Sequence, residues 1–219
     1  MICAVLREKT VVLMVKVALK NNADVFEIRL DCLKDLRNLD KLSLIKKPKI
    51  ATCMPKWEGG FFNGSEKERL KLLSSVLDKV QYATIELNCK PPARAAFIRQ
   101  AKSRGVKVIV AYHDFKKTPG VKKILQIIRR EKKAGADIAK VAFTPKKHSD
   151  VLAVMEALAS NESGLPVIAL SMGERGKISR VVGPLLGSYL TFASVGRGRE
   201  SASGQLTVGD LKAVLRLLE

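Results

Sequence analysis

Aromatic residues, histidine and long apolar runs are all scarce in this chain of 219 residues. Aromatic residues make up 5% of the sequence, which contains one tryptophan and two histidines. No apolar run reaches the roughly 18 residues that a membrane-spanning helix needs. The apolar run at the N-terminus is followed by basic residues and not preceded by them, so it makes a poor signal peptide. We therefore expect a soluble protein without a membrane anchor.

Cysteine is also sparse, and its four positions show no pairing pattern. Cys3, Cys32, Cys53 and Cys89 form no C-x-x-C motif, and three of them lie in strand-like apolar runs. Such cysteines behave as small buried hydrophobic residues in a reducing compartment. The histidines lack ligand spacing to any cysteine, so we expect no metal site. This pattern favours a cytoplasmic protein.

Acidic residues are the minority among the charged ones. Forty Lys and Arg residues oppose 21 Asp and Glu residues, which gives a formal net charge of +19. Much of the excess lies between Lys116 and Lys133, where apolar residues at helical spacing predict an amphipathic helix with a basic outer face. That face is either simply solvated or attracts a polyanion such as nucleic acid. The scarcity of aromatic residues for base stacking argues against single-stranded nucleic acid.

Short apolar runs alternate with amphipathic stretches along the whole chain. The runs are rich in Val, Ile and Ala, as is typical of parallel strands that are buried on both faces. Proline near the start of a stretch and glycine after its end mark helix boundaries. The predicted strands are 2–6, 25–30, 49–53, 82–87, 106–112, 138–143, 167–171 and 190–195, and the predicted helices are 66–79, 92–104, 119–133, 149–159 and 207–218.

Eight such alternations predict a (β/α)₈ TIM barrel, an α/β fold, in a single domain over residues 1–219. An open doubly wound sheet is the alternative. That fold would normally show a glycine-rich phosphate loop after a strand. Gly196-Arg197-Gly198 follows the last strand but completes no G-x-G-x-x-G motif. In a barrel, the chemistry gathers at the carboxyl ends of the strands.

Lys140 is the most informative residue at that end of the predicted barrel, because it interrupts an apolar strand. It could point outward between helices, or form a structural salt bridge with Glu27 or Glu86 inside the barrel. It could also be a nucleophilic amine that forms a Schiff base. Only about one lysine in 2,500 is neutral at pH 7, so such an amine needs a lowered pKa. Burial and nearby cations would supply that shift.

Other polar residues follow the same strand ends. Glu27, Arg29 and Asp31 alternate with apolar residues, so a period of two places all three on one face. His113 ends the strand before that of Lys140, where it is either a structural histidine or a general acid–base. Arg180 comes shortly after the seventh strand.

Several motifs in order resemble the type I 3-dehydroquinate dehydratase family over nearly the whole chain. No single motif is decisive, but so many in register are specific. They are Glu27-Ile28-Arg29-Leu30-Asp31, Glu58-Gly59-Gly60, Tyr112-His113-Asp114-Phe115, Ala136-Asp137-Ile138-Ala139-Lys140, Ser171-Met172-Gly173, Ile178-Ser179-Arg180 and Ser201-Ala202-Ser203-Gly204-Gln205.

The resemblance implies a barrel enzyme of the shikimate pathway that converts 3-dehydroquinate into 3-dehydroshikimate by loss of water. It implies a homodimer with no metal and no organic cofactor. Lys140 would form the Schiff base, His113 would be the general acid–base, and Glu58 would orient the histidine. The implied substrate-binding residues are Glu27, Arg29, Arg180, Ser201 and Gln205, with Arg180 as the clamp on the substrate carboxylate.

One departure concerns substrate binding. Many family members have an arginine four residues before the glutamate of the Glu-Gly-Gly motif, where this chain has Met54. We expect Lys56, near the same strand end, to compensate in part.

Two other functions compete with this assignment. A class I aldolase on the same barrel would also use a lysine on the sixth strand. A basic protein that binds nucleic acid through the helix 119–133 is the non-enzymatic alternative, with steeply salt-dependent binding.

Overall fold

Eight parallel strands alternate with helices in the structure, a computed structural model that describes residues 1–218. This arrangement confirms the (β/α)₈ prediction. The predicted domain ends at residue 219, which lies outside the described residues. The strands are β1 (Ile2–Leu6), β2 (Val25–Arg29), β3 (Lys49–Thr52), β4 (Tyr82–Glu86), β5 (Lys107–Asp114), β6 (Ile138–Phe143), β7 (Val167–Ser171) and β8 (Thr191–Ser194).

The strands form one sheet in the order β7-β6-β5-β4-β3-β2-β1-β8. The two end strands meet without a regular ladder. The Tyr189 amide donates a hydrogen bond to the Val167 carbonyl at 2.8 Å, and the Ala169 amide donates to the Ser188 hydroxyl at 3.4 Å. These contacts bring the edges of the sheet together into a nearly closed barrel.

Helices cover the outside of the barrel. No described helix has both the length and the apolar character needed to cross a membrane. The helices are α1 (Val11–Leu19), α2 (Glu66–Ser74), α3 (Pro91–Ser103), α4 (Val121–Lys133), α5 (His148–Ala159), α6 (Gly173–Gly176), α7 (Ser179–Leu185) and α8 (Val208–Arg216), with 3₁₀ turns at Leu30–Cys32, Leu39–Leu44, Lys56–Glu58 and Leu77–Lys79.

The strand predictions agree with the structure to within about two residues, and the helix predictions need four corrections. The helix predicted over 66–79 ends at Ser74, and a 3₁₀ turn follows at Leu77–Lys79. Helix α1 was not predicted, because its sequence VVLMVKVAL is apolar on nearly every face and shows no clear helical stripe. The Thr10 side chain accepts a hydrogen bond from the Leu13 amide and starts this helix. Helices α6 and α7 were also missed.

Alternate residues of each strand pack into two separate apolar clusters. The larger cluster fills the space between the sheet and the helices. The smaller one lies inside the barrel and includes Val5 of β1, Ile138 and Ala142 of β6, and Phe192 of β8. Charged residues join this inner surface toward the carboxyl ends of the strands, where Glu27, Arg29 and Lys140 lie beside apolar residues such as Ala142 and Leu170.

Candidate active site

A cavity of about 120 Å³ opens at the carboxyl ends of the strands. Apart from Glu58, every residue predicted for the site lines this cavity: Glu27, Arg29, His113, Lys140, Arg180, Ser201 and Gln205. The barrel therefore brings together side chains that lie up to 178 residues apart in sequence, from Glu27 to Gln205.

Lys140 points into the barrel from the middle of β6. It lies between Ile138 and Ala142, two residues of the inner cluster, and is 6% exposed. Its partner in register on β5 is Ala111, whose small side chain leaves room for the long lysine. The Nζ atom lies 4.0 Å from the centroid of the Phe192 ring. The outward orientation considered from sequence is therefore wrong.

The surroundings of Lys140 favour a neutral amine. Burial is the largest effect and lowers the pKa of Lys140, and the positive charges of Arg29 and Arg180 act in the same direction. Glu27 opposes them. The buried ion pairs of this region join Arg29 to Asp31 and Arg69 to Glu86, and neither uses Lys140. The salt bridge between Lys140 and Glu27 or Glu86 that the sequence left open is absent among residues 1–218.

His113 and Glu58 form a buried pair beside Lys140. The Glu58 Oε1 atom accepts a hydrogen bond from the His113 backbone amide at 2.9 Å and lies 3.3 Å from His113 Nδ1. Burial lowers the pKa of His113, Lys140 lowers it further, and Glu58 raises it. Contact with Glu58 orients the ring, and burial favours the neutral imidazole that a general base requires.

The Glu-Gly-Gly motif places Glu58 at the end of a 3₁₀ turn. Gly59 follows with a φ of +80°, and a Cβ on this residue would lie 2.6 Å from the Phe115 ring. A Cβ on Gly60 would lie 2.1 Å from the carbonyl oxygen of Met54. Phe115 in turn stacks on the His113 ring, with the centroids 6.0 Å apart. Two glycines are thus needed where the loop passes against the backbone and the aromatic ring.

Glu27 and Arg29 project from β2 into the cavity, as their spacing predicted. Glu27 accepts a hydrogen bond from the Thr52 hydroxyl at 2.8 Å. Arg29 forms a two-pronged ion pair with Asp31, with Nε–Oδ1 at 2.9 Å and Nη2–Oδ2 at 2.7 Å. Asp31 also accepts from the Phe61 amide at 3.1 Å. Asp31 therefore holds Arg29 in place.

Arg180 is a buried cation with a free donor. It is 1% exposed. Its Nε donates to the Gly204 carbonyl at 3.0 Å and its Nη1 to the Phe192 carbonyl at 3.3 Å. Its Nη2 is buried without a hydrogen-bond partner among residues 1–218. Burial lowers the pKa of Arg180 to about 10, so it stays charged at neutral pH. A carboxylate in the cavity would satisfy the free donor.

Ser201 and Gln205 lie on the loop after β8 and bind each other. The Ser201 amide donates to Gln205 Oε1 at 2.7 Å, and Gln205 Nε2 donates to the Ser201 hydroxyl at 2.9 Å. The Gly173 amide donates to the Ser203 carbonyl at 3.1 Å. These contacts fasten the loop over the cavity.

The structure does not place Lys56, which was expected to compensate in part for the missing arginine, in the cavity. Met54 lines the cavity, but Lys56 lines a separate surface pocket. The Lys56 ammonium is exposed and donates to Asn63 Oδ1 at 2.7 Å.

Sequence reasoning missed several residues of this region. Phe61, Phe115, Met172 and Phe192 line the cavity. Phe115 and Met172 lie in the quoted motifs, and Phe192 follows from strand alternation, but no sequence signal identifies Phe61. No cluster of three or more His, Cys, Asp or Glu side chains suited to a metal ion occurs within residues 1–218.

Fold and site together define a (β/α)₈ barrel with a buried amine facing a histidine–glutamate pair at its mouth. Known proteins are similar to this chain in sequence and fold. A family model described as Type I 3-dehydroquinase matches residues 2–219. The chain belongs to this family.

Individual relatives and solved structures agree with this family assignment. The chain is 36% identical to a 3-dehydroquinate dehydratase of Methanocaldococcus jannaschii, over 100% of this chain and 99% of that protein. It is 38% identical to the 3-dehydroquinate dehydratase of Methanosarcina barkeri, over 100% of this chain and 94% of that protein. The crystal structure of 3-dehydroquinate dehydratase from Geobacillus kaustophilus matches with a TM-score of 0.91 and 28% identity, over 99% of this chain and 90% of that one. The crystal structure of the type I enzyme from Clostridium difficile with covalently modified comenic acid matches with a TM-score of 0.89 and 30% identity. The match covers 99% of this chain and 91% of that one.

Proposed function

We propose that this protein is a 3-dehydroquinate dehydratase of the shikimate pathway, which removes water from 3-dehydroquinate to give 3-dehydroshikimate. The observation that carries the proposal is the buried Lys140 facing the His113–Glu58 pair in a chain of the type I 3-dehydroquinase family. Its relatives bear the name of this activity.

Lys140 attacks the substrate ketone. Condensation of the neutral amine with the carbonyl carbon, with uptake of one proton from solvent, releases one water and forms a cationic iminium. Burial lowers the pKa of Lys140 and so raises the fraction of neutral, nucleophilic amine. The iminium acts as an electron sink, because it can accept the electron pair of the neighbouring C2–H bond.

His113 moves the proton. The neutral imidazole removes the proton from C2, and the electrons of the C–H bond form an enamine with the former ketone carbon. The resulting imidazolium is stabilised by Glu58, which lies 3.3 Å from Nδ1. The enamine then expels the C1 hydroxyl, which leaves as water with the proton returned by His113. Water finally hydrolyses the iminium, releasing product and regenerating the amine.

The remaining cavity residues bind the substrate. Arg180 binds the carboxylate, because its planar guanidinium has a free buried donor and a charge of the right sign. Glu27 and Arg29 bind hydroxyl groups from one side of the cavity. Ser201 and Gln205 contact the substrate from the closing loop. The reaction as written uses no metal and no organic cofactor.

The assembly and location belong to the same proposal. We expect a homodimer, and the apolar residues Val12, Leu13 and Leu19, which are exposed on α1, would suit such an interface. Light scattering coupled to size exclusion tests this: a mass near twice 24.0 kDa is expected, and a monomer would contradict it. The four free cysteines are consistent with the cytoplasm.

A turnover assay tests the activity. Loss of water gives a conjugated product, so its ultraviolet absorbance rises with time. The protein is expected to turn over 3-dehydroquinate, whereas Lys140→Ala should be inactive and Lys56→Ala, outside the cavity, should be normal. An active Lys140→Ala variant would refute the mechanism, and an inactive, folded wild-type protein would refute the function.

A further inference from the structure

Strands β3 and β4 separate just before they reach the site. Their ladder contains two residue pairs and ends at Ala51 and Ala83, whereas β4 and β5 share five pairs. One residue later only the side chains meet, where the Thr52 and Thr84 hydroxyls lie 3.1 Å apart. Backbone groups beyond this point need other partners.

Arg69 fills the opening from the outside. It belongs to α2 and has no exposed surface. Its Nη1 donates to the Cys53 carbonyl at 2.7 Å and lies 2.7 Å from Glu86 Oε2. Its Nε and Nη2 bind both oxygens of Glu66 at 2.8 and 2.7 Å. Arg69 therefore ties together the ends of β3 and β4.

Glu86 is the inward partner of Arg69, and nothing in the reaction described above uses it. It is fully buried at the end of β4. It pairs in register with Ala111 of β5, which pairs in turn with Lys140 of β6. Glu86 thus occupies the same layer of the barrel as the reactive lysine, with only an alanine between them on the barrel wall.

The same region holds Glu58. The chain passes from Cys53, which is anchored by Arg69, to Glu58 within five residues. His113 lies two residues beyond Ala111 on β5 and contacts Glu58 through both its amide and its ring. Glu86 and Glu58 are therefore two buried carboxylates in one region, close enough for the charge of Glu58 to raise the pKa of Glu86, with Arg69 as the compensating charge.

We infer that Glu86, held by Arg69, is a positioning residue that strengthens His113 as a base by acting through Glu58. An ionised Glu86 repels the negative charge of Glu58, which makes Glu58 a better acceptor for the Nδ1 proton of His113. The imidazolium formed when His113 takes the C2 proton then gains stability. Glu86 itself touches neither the cavity nor the substrate.

The charge on Glu86 changes near neutral pH. Burial raises the pKa of Glu86 to about 7, Arg69 opposes that shift, and Glu58 adds to it. The other titratable groups around the ion pair are Glu66 and the Cys53 and Cys89 thiols. Burial holds the pKa of Cys53 far above neutrality and that of Cys89 at about 12, so both thiols stay neutral. Glu86 is thus the group of this cluster that ionises as the pH rises through 7.

This inference rests on the proposed function for its kinetic test. In the wild-type protein, kcat should rise by about three- to tenfold as Glu86 ionises, since one pKa unit of coupling corresponds to tenfold. In Glu86→Gln, which keeps the size and loses the charge, this rise should be absent, with KM within twofold of wild type. Glu66→Gln, which changes the solvent side of Arg69, should keep the rise. A wild-type kcat profile in folded Glu86→Gln would overturn the inference.

A second measurement does not depend on activity. His113 and His148 are the two histidines of the chain, so ¹⁵N-labelled imidazole signals are readily assigned. The His113 ring signals should show an inflection near pH 7 in wild type and lack it in Glu86→Gln, while exposed His148 is unchanged. If Glu86→Gln does not fold, Glu86→Asp should retain the inflection. No inflection in wild type would overturn the inference, whereas failure to turn over 3-dehydroquinate would overturn the proposed function alone.

Discussion

Replacing Arg180 by methionine tests how the cavity recognises an anion. Methionine keeps much of the buried length and removes the charge. Two of the nitrogens of Arg180 bind the carbonyls of Gly204 and Phe192, and Nη2 is left for a ligand. The substitution therefore removes the donor for the substrate carboxylate and leaves two carbonyls without their partner.

The size of the effect follows from burial. Removing one partner of a buried, hydrogen-bonded charge pair costs roughly 2–5 kcal/mol in binding. At 1.4 kcal/mol for each factor of ten, Arg180→Met should lower kcat/KM by about 30- to 4,000-fold, mainly through KM. Arg180→Lys keeps the positive charge but not the planar guanidinium, so its decrease in kcat/KM should be smaller than that of Arg180→Met.

Steady-state kinetics at several substrate concentrations measure both variants, with thermal unfolding as the check on folding. The loss of two hydrogen bonds to carbonyls predicts a lower melting temperature for Arg180→Met. A folded Arg180→Met variant with KM within threefold of wild type would show that the carboxylate binds elsewhere.

Three further predictions concern the base, the missing arginine and the basic helix. His113→Ala should slow turnover strongly but still form the imine, which mass spectrometry after reduction would detect; unimpaired turnover would refute its role as base. Lys56→Ala should have a KM within twofold of wild type. A larger increase in KM would mean that the contact between Lys56 and Asn63 breaks when substrate binds. Glu131 of α4 is fully buried with neither oxygen hydrogen-bonded among residues 1–218, and burial raises its pKa. In the unfolded chain, Glu131 has the ordinary glutamate pKa of 4.5 and loses its proton above that pH, whereas in the folded chain it keeps the proton. The free energy of unfolding therefore falls as the pH rises. Glu131→Met should thus increase the free energy of unfolding by about 1–3 kcal/mol at pH 8 and by less at pH 5. Thermal unfolding checks this, with exposed Glu156→Met as control, and a gain independent of pH would refute it.

The barrel could be predicted from sequence because each strand is a short apolar run buried on both faces. The polar exceptions, Lys140 above all, then identified the end of the barrel where chemistry occurs. Helix α1 escaped because its apolar residues surround the helix, so periodicity gave no signal. Its cap at Thr10 is the local feature that could have revealed it.

Contacts between distant loops could not be predicted in the same way. Lys56 lies close in sequence to Met54, but Met54 lines the cavity and Lys56 lines a separate surface pocket. Arg69 is a charged residue in the polar first half of α2, yet it is buried and enters the gap between β3 and β4. Such placements depend on where the ladder between two strands ends, and that is a property of the whole barrel.

Borohydride trapping with 3-dehydroquinate tests the central claim most directly. Reduction should fix a single adduct, located on Lys140 by peptide mapping, with a mass that shows the loss of water. Lys140→Ala should give none. An adduct on Lys140 that retains the water would keep the imine and place the role of His113 or the assigned substrate in doubt. No adduct on a folded protein, or an adduct on another lysine, would contradict the account and return the aldolase and nucleic-acid-binding functions to consideration.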